Sequence, residues 1–171
     1  MSKKVEFMGN PVELSGDVPA VGQQAPDFVL TKNDLSDFSL KENKGKVLVL
    51  SVVPSLDTKV CAASARMFNK RASDIGDVLV LNISEDLPFA AERFCVTEGL
   101  KNVIALSDFR DREFGNNYGL LIKTGPLRGL LARAVIVIDK QGKIVYEEVV
   151  SEITNEPNYD LALAAAKSAS V

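Results

Sequence analysis

Val47-Leu48-Val49-Leu50-Ser51-Val52-Val53-Pro54-Ser55-Leu56-Asp57-Thr58-Lys59-Val60-Cys61 joins two different periodicities, and the rest of the chain can be ordered around it. Residues 46–53 are apolar almost throughout and rich in valine, the pattern of a strand covered on both faces and therefore central in a sheet. Pro54 ends the run, because proline has no N–H to give to a ladder. A short polar loop follows, and Cys61 opens a helical pattern: Cys61, Ala65, Phe68, Ala72 and Ile75 fall at spacings of 4, 3, 4 and 3, one apolar stripe of an amphipathic helix that Gly76 stops. A sulfur in the first turn of a helix sits where unpaired backbone N–H groups and the macrodipole favour an anion. That is the setting in which a thiol becomes a thiolate, its reactive form. A helix end alone supplies too little, so a nearby cation or strong donors are expected as well.

Upstream, residues 5–7 and 12–14 flank Met8-Gly9-Asn10-Pro11 and read as a small hairpin turning at Gly9-Asn10. A Gly- and Pro-punctuated stretch, 16–26, leads into short strands at 27–30 and 36–40, with a turn at 42–46. Downstream, 78–83 is another buried strand. Pro88 suits the first turn of a helix, so 88–98 is helical and closed by Gly99. A short strand at 103–106 and a short helix at 111–118 follow. Residues 120–131 form an apolar loop broken by Gly125, Pro126 and Gly129. Segments 134–139 and 143–149 make a hairpin across Lys140-Gln141-Gly142, and 159–169, rich in alanine and leucine, is a closing helix. Strands alternating with helices, then a hairpin and a last helix, predict an α/β fold with a mixed central sheet flanked by helices. There is no internal repeat or composition break, so residues 1–171 are expected to form one domain.

Composition narrows the chemistry. Apolar residues make up 46% and charged residues 25% of the 171, ordinary for a soluble globular chain. A net charge of −3 with scattered Lys and Arg argues against a nucleic-acid surface. No apolar run reaches the roughly 20 residues that span a bilayer, and the N-terminus lacks the apolar core of a signal peptide. An intracellular, cytoplasmic protein is the expectation. The chain has no histidine and two cysteines. That removes His-based acid–base catalysis and Cys-His pairs, and makes a zinc site improbable. Any chemistry at Cys61 must therefore be activated electrostatically. On spacing alone, Cys61 is equally well an inert core cysteine, since free Cys is among the most buried residue types.

The pattern Pro54-x-x-x-Thr58-x-x-Cys61 resembles the active-site signature of peroxiredoxins, and Val21-Gly22-Gln23-Gln24-Ala25-Pro26-Asp27-Phe28 is similar to that superfamily's opening segment. Three further stretches resemble one subfamily, the bacterial thiol peroxidases of the atypical two-cysteine type. They are Asp57-Thr58-Lys59-Val60-Cys61-Ala62-Ala63-Ser64, Leu87-Pro88-Phe89-Ala90-Ala91-Glu92-Arg93-Phe94-Cys95, and Gly125-Pro126-Leu127-Arg128-Gly129-Leu130-Leu131-Ala132-Arg133-Ala134. The resemblance runs essentially from Val5 to the C-terminus and implies a thioredoxin-like fold. It further implies a thioredoxin-dependent peroxidase, with Cys61 as peroxidatic cysteine, Cys95 as resolving cysteine, Thr58 and Arg133 as polar partners of the site, and Pro54 as its shield. A homodimer and a preference for alkyl or lipid hydroperoxides over hydrogen peroxide are implied in the same way. No metal, haem or flavin cofactor is implied, because the redox equivalents reside on sulfur.

Each of these residues also has a plainer role. Thr58, three residues before Cys61, is placed to cap the helix. Arg133 is otherwise a salt-bridged surface arginine, and Arg66 and Arg128 compete with it on residue type alone. Cys95 lies 34 residues after Cys61, outside any Cys-x-x-Cys arrangement. If both cysteines sit in formed helices, joining them requires local unwinding, because bonded cysteines have Cα atoms within about 7 Å. The apolar 120–131 loop reads as core, dimer surface or pocket wall. Three rival functions share the fold: a peroxide-responsive redox sensor using the same cysteine pair, a thioredoxin-like protein disulfide oxidoreductase, and a redox-inactive binding module. The missing Cys-x-x-Cys counts against the second, and the intact Thr58, Cys61, Cys95 and Arg133 against the third.

Overall fold

The computed structural model describes residues 3–72 and 74–171. Its centre is β5 (Val47–Val52), every residue of which is buried. β5 pairs parallel with β6 (Val78–Ser84) on one side and antiparallel with β8 (Ala134–Ile138) on the other. With β3 (Val29–Lys32), β4 (Asp37–Ser39), β7 (Val103–Ser107) and β9 (Ile144–Val149), it forms a seven-stranded mixed sheet in the order β4-β3-β7-β6-β5-β8-β9.

Alternation along β5 assigns its side chains to two cores. Val47 and Val49 point to the side where α1 (Lys59–Ala72) and α4 (Tyr159–Ser170) pack through Ala65, Phe68, Ala72, Ala162, Leu163 and Ala166. Leu48, Leu50 and Val52 point to the other side, among Phe28, Phe114, Tyr118 and the apolar residues of the 120–131 segment. The α1 stripe expected from the sequence is thus the face that meets the sheet. α2 (Pro88–Glu98) begins with proline in its first turn and ends at Gly99, whose φ of 66° is left-handed. α3 (Glu113–Asn117) is a short helix between β7 and β8.

Several boundaries differ from the sequence expectation, among them β3, which runs Val29–Lys32 rather than 27–30, and α3, which is shorter than 111–118. The N-terminal hairpin, β1 (Val5–Phe7) with β2 (Asn10–Val12), turns at Met8-Gly9 rather than Gly9-Asn10, with φ of 51° and 82° at those two residues. Two positive-φ central residues match the twist of a two-residue hairpin, and this register pairs Asn10 with Phe7. α1 begins at Lys59, so Cys61 is its third residue rather than its first. No helix among the described residues is long and apolar enough to cross a membrane.

Candidate active site

The carboxyl end of β5 runs through Val53 and Pro54 into a four-residue loop, 55–58, that α1 follows. The Thr58 hydroxyl oxygen accepts the backbone N–H of Cys61 at 3.2 Å, and the Thr58 carbonyl accepts the N–H of Ala62 at 2.8 Å. Thr58 is therefore the N-cap, satisfying one of the amides that a helix start leaves orphaned. The hydroxyl proton has only a long contact, 3.5 Å, to the Ser55 carbonyl. Its oxygen is committed to the helix while its proton is loosely held, so it remains free to turn toward a bound acceptor.

Cys61 is fully buried, packed with Val53, Leu56, Ala91 and Ala105. Ala91 belongs to α2 and Ala105 to β7, so the sulfur lies where the first turn of α1, the sheet and α2 meet. Cys95, near the end of α2, is half-buried and packs against this same cluster. Both cysteines are free thiols, each inside a formed helix. Burial pushes the Cys95 thiol up, and a hydrogen bond with Asn33 acts in the opposite direction.

Arg133 immediately precedes β8 and is 3% exposed. Its Nε donates to the carbonyl of Ile153 at 2.8 Å, which fixes the plane of the guanidinium. One terminal nitrogen, Nη1, is buried with no hydrogen-bond partner. A buried guanidinium with an unspent donor is costly unless something else accepts from it. Arg133 lines a cavity of about 250 Å³ together with Pro54, Thr58, Val60, Leu127, Leu130 and Ile153 among others. Almost all of its wall is apolar. Pro54, Thr58 and Arg133 thus share one chamber beside the turn that carries Cys61. Arg66 lies instead on the surface of α1, paired with Glu98 of α2 at 2.8 Å, and Arg128 does not line the chamber.

The 120–131 segment divides its work. Leu120, Leu121, Ile122 and Leu131 are core, while Leu127 and Leu130 form chamber wall. A second, larger groove of about 710 Å³ lies between the start of α1 and α2, bordered by Asp57, Lys59, Ala62, Asp86, Phe94 and Glu98. The two cysteine-bearing helices therefore have open space between them on the outer side.

Residues 20–163 match the Redoxin family model. The chain belongs to the Redoxin family. It is 53% identical to the thiol peroxidase of Leptospira interrogans over 168 residues, 97% of this chain and 98% of the relative. It is 51% identical to the thiol peroxidase of Bacillus subtilis over 165 residues, 96% of this chain and 97% of the relative. The crystal structure of a peroxiredoxin-like protein from Aquifex aeolicus, 44% identical, covers 98% of both chains with a TM-score of 0.93. A thiol peroxidase from Chromobacterium violaceum, 23% identical, shares the fold at a TM-score of 0.88 over 96% of this chain and 95% of that one. Within the family, this chain is a peroxiredoxin-type peroxidase with a thioredoxin-like fold, as the sequence motifs implied.

Sequence reading missed one part of this Redoxin site. Asp86 accepts from Ser55 Oγ, the Leu56 N–H and Ser84 Oγ at 2.9, 2.7 and 2.8 Å, and so grips the loop ahead of Cys61. The only local signal was a serine two residues before an aspartate at a strand end. The partners in the other loop lie about thirty positions away, beyond the reach of any periodicity. Among the described residues no group of three or more His, Cys, Asp and Glu side chains is arranged to hold a metal.

Proposed function

We propose that this protein, as a single domain, reduces organic hydroperoxides through a two-cysteine cycle. The Cys61 thiolate attacks the terminal oxygen of R–O–OH. The O–O bond breaks, Cys61 becomes a sulfenic acid, and the alkoxide leaves as alcohol after taking a proton. The Cys95 thiol then attacks the Cys61 sulfenic sulfur, expelling water and closing an intramolecular disulfide. A dithiol reductant of the thioredoxin type returns both sulfurs to thiols by exchange.

The observation that carries this reading is that Arg133, whose buried Nη1 has no partner, lines an apolar chamber together with Pro54 and Thr58. A preorganised donor in a water-poor site stabilises charge that develops only in the transition state. Here that charge grows on the departing peroxide oxygen. The apolar wall at Leu127 and Leu130 favours an alkyl substituent over the bare proton of hydrogen peroxide. In the same reading, the enzyme acts in the cytoplasm as a homodimer.

Both cysteines occupy formed helices, so closing the disulfide requires the first turn of α1, the helix around Cys95, or both to loosen. The test is mass spectrometry of the reduced protein after one equivalent of cumene hydroperoxide. Formation of a Cys61–Cys95 disulfide within one chain supports the cycle. Oxidation that leaves Cys61 untouched, or that joins two chains, contradicts it.

A further inference from the structure

Asp86 links the segments that lead into the two cysteine-bearing helices. In sequence it follows β6 by two positions, and Leu87, the N-cap of α2, comes directly after it. In space its carboxylate reaches across to the loop that leads to Cys61. One oxygen accepts from Ser55 Oγ at 2.9 Å, and the other accepts from the Leu56 N–H at 2.7 Å and from Ser84 Oγ at 2.8 Å. Its own N–H donates to Ser84 Oγ, and its carbonyl accepts from Ser107 Oγ of β7. The aspartate is therefore tied to the ends of two sheet strands while its carboxylate holds the loop ahead of Cys61.

From the carboxylate, a continuous chain of contacts leads to the reacting residue. Ser55 donates to Asp86, and the Ser55 carbonyl receives the Thr58 hydroxyl at 3.5 Å. The Thr58 oxygen in turn caps the Cys61 amide at 3.2 Å. Ser55 Oγ also accepts the Asp57 N–H at 3.2 Å, which closes the loop on itself. Asp57 enters through its amide alone, so Asp86 is the charged acceptor in this chain of contacts, and hydrogen bonds to a charged acceptor are the stronger ones.

We propose that Asp86 is a positioning residue that clamps the Ser55–Thr58 loop in the geometry needed for peroxide attack, and whose grip is released when Cys61 moves to Cys95. This deepens the peroxidase reading and rests on it. The clamp and the resolving helix are consecutive in the chain, so displacement of the loop pulls on the segment that begins α2. The same residue then sets the balance between the two halves of the cycle: a tight clamp favours attack on peroxide, a loose one favours disulfide closure.

Asp86→Asn tests this, because it keeps the shape while replacing the charged two-oxygen acceptor by one acceptor and an N–H₂ that must face either Ser55 Oγ or the Leu56 N–H and Ser84 Oγ. Quenched-flow mass spectrometry resolves thiol, sulfenic acid and disulfide forms by mass. The sulfenic acid step is read in the Cys95→Ser background, and disulfide closure in the full-cysteine protein. The expected result is a loss of roughly 10- to 100-fold in the rate of sulfenic acid formation, the scale at which misplaced reacting groups lose rate. Disulfide closure should be as fast as in the wild type or faster. Ser55→Ala, which removes one of the three bonds and no charge, should move both rates in the same directions by a smaller factor, and it serves if Asp86→Asn does not fold.

Equal slowing of both steps would mean general damage, and unchanged rates would mean no clamp; either overturns the proposal. A wild type that forms no sulfenic acid at Cys61 would instead sink the underlying peroxidase reading.

Discussion

The Cys61 amide donates to the Thr58 hydroxyl oxygen at 3.2 Å, so the residue that starts the helix also fixes the backbone of the cysteine three positions later. Helix stability and placement of the sulfur are thereby one interaction. Thr58→Val should lower stability by about 1 kcal/mol, the usual worth of an N-cap, and reduce peroxidase activity. Thr58→Ser keeps the oxygen and should retain both. Denaturant midpoints and kcat/KM for the two variants check this, and a Thr58→Val protein of normal activity would show that the cap does not position the sulfur.

Arg133 is held by Ile153 through Nε, its buried Nη1 has no partner, and the residue lines the chamber. Lysine has a single point of charge and no fork, so it cannot make both contacts. Arg133→Lys and Arg133→Met should each lower kcat/KM by roughly 10²- to 10³-fold, the loss seen when one preorganised donor is removed. The loss should be similar for small and large hydroperoxides, because the guanidinium acts on the O–O unit that they share. Steady-state kinetics with hydrogen peroxide and cumene hydroperoxide provide the comparison.

Leu127 and Leu130 should behave differently. Both line the chamber, whereas their neighbours Ile122 and Leu131 are core. Leu130→Ser should reduce kcat/KM for cumene hydroperoxide by about tenfold, the order expected when a pocket loses an apolar contact. Hydrogen peroxide, which has no alkyl group to place there, should be little affected. Parallel losses for both substrates would remove Leu130 from substrate recognition.

The pair Glu85 and Asp108 gives the protein a distinct pH response. The Glu85 side chain is 3% exposed, neither of its oxygens has a hydrogen-bond partner, and its nearest cation is Arg112 at 3.9 Å, so a charge on it is poorly compensated. Burial first, then the Asp108 side chain and its negative charge, push Glu85 from 4.5 up to about 9; Arg112 acts in the opposite direction. Burial raises Asp108 as well. Between those two pH values the folded state retains a proton that the unfolded state has released. Stability from this group therefore falls as pH rises from about 4.5 toward about 9. Glu85→Gln keeps a donor for Asp108 and does not titrate, so its thermal midpoint should decline less on going from mildly acidic to mildly alkaline pH. Wild type and variant declining in parallel would place the proton elsewhere.

What could be read in advance follows from how local each cause is. β5 is apolar throughout because both its faces are covered, and the α1 stripe repeats because one face meets the sheet; both patterns lie within a dozen residues. Pro88 and Gly99 bracket α2 by their own backbone preferences. The hairpin turn lies one residue before the Gly-Asn signal, with Asn10 paired to Phe7. The partners of Arg133 and Asp86 had no local trace. Ile153 offers only a carbonyl, which any residue has, and Ser55 meets Asp86 solely because parallel β5 and β6 end side by side. Arg133 was selected over Arg66 and Arg128 only by resemblance, and it is the one of the three found lining the chamber.

The most direct measurement is NADPH consumption with thioredoxin, its reductase and cumene hydroperoxide, comparing wild type with Cys61→Ser and Cys95→Ser. Fast turnover by the wild type, none by Cys61→Ser, and loss of thioredoxin-supported turnover in Cys95→Ser is the expected result. Wild type turning over no faster than Cys61→Ser would contradict the two-cysteine peroxidase cycle.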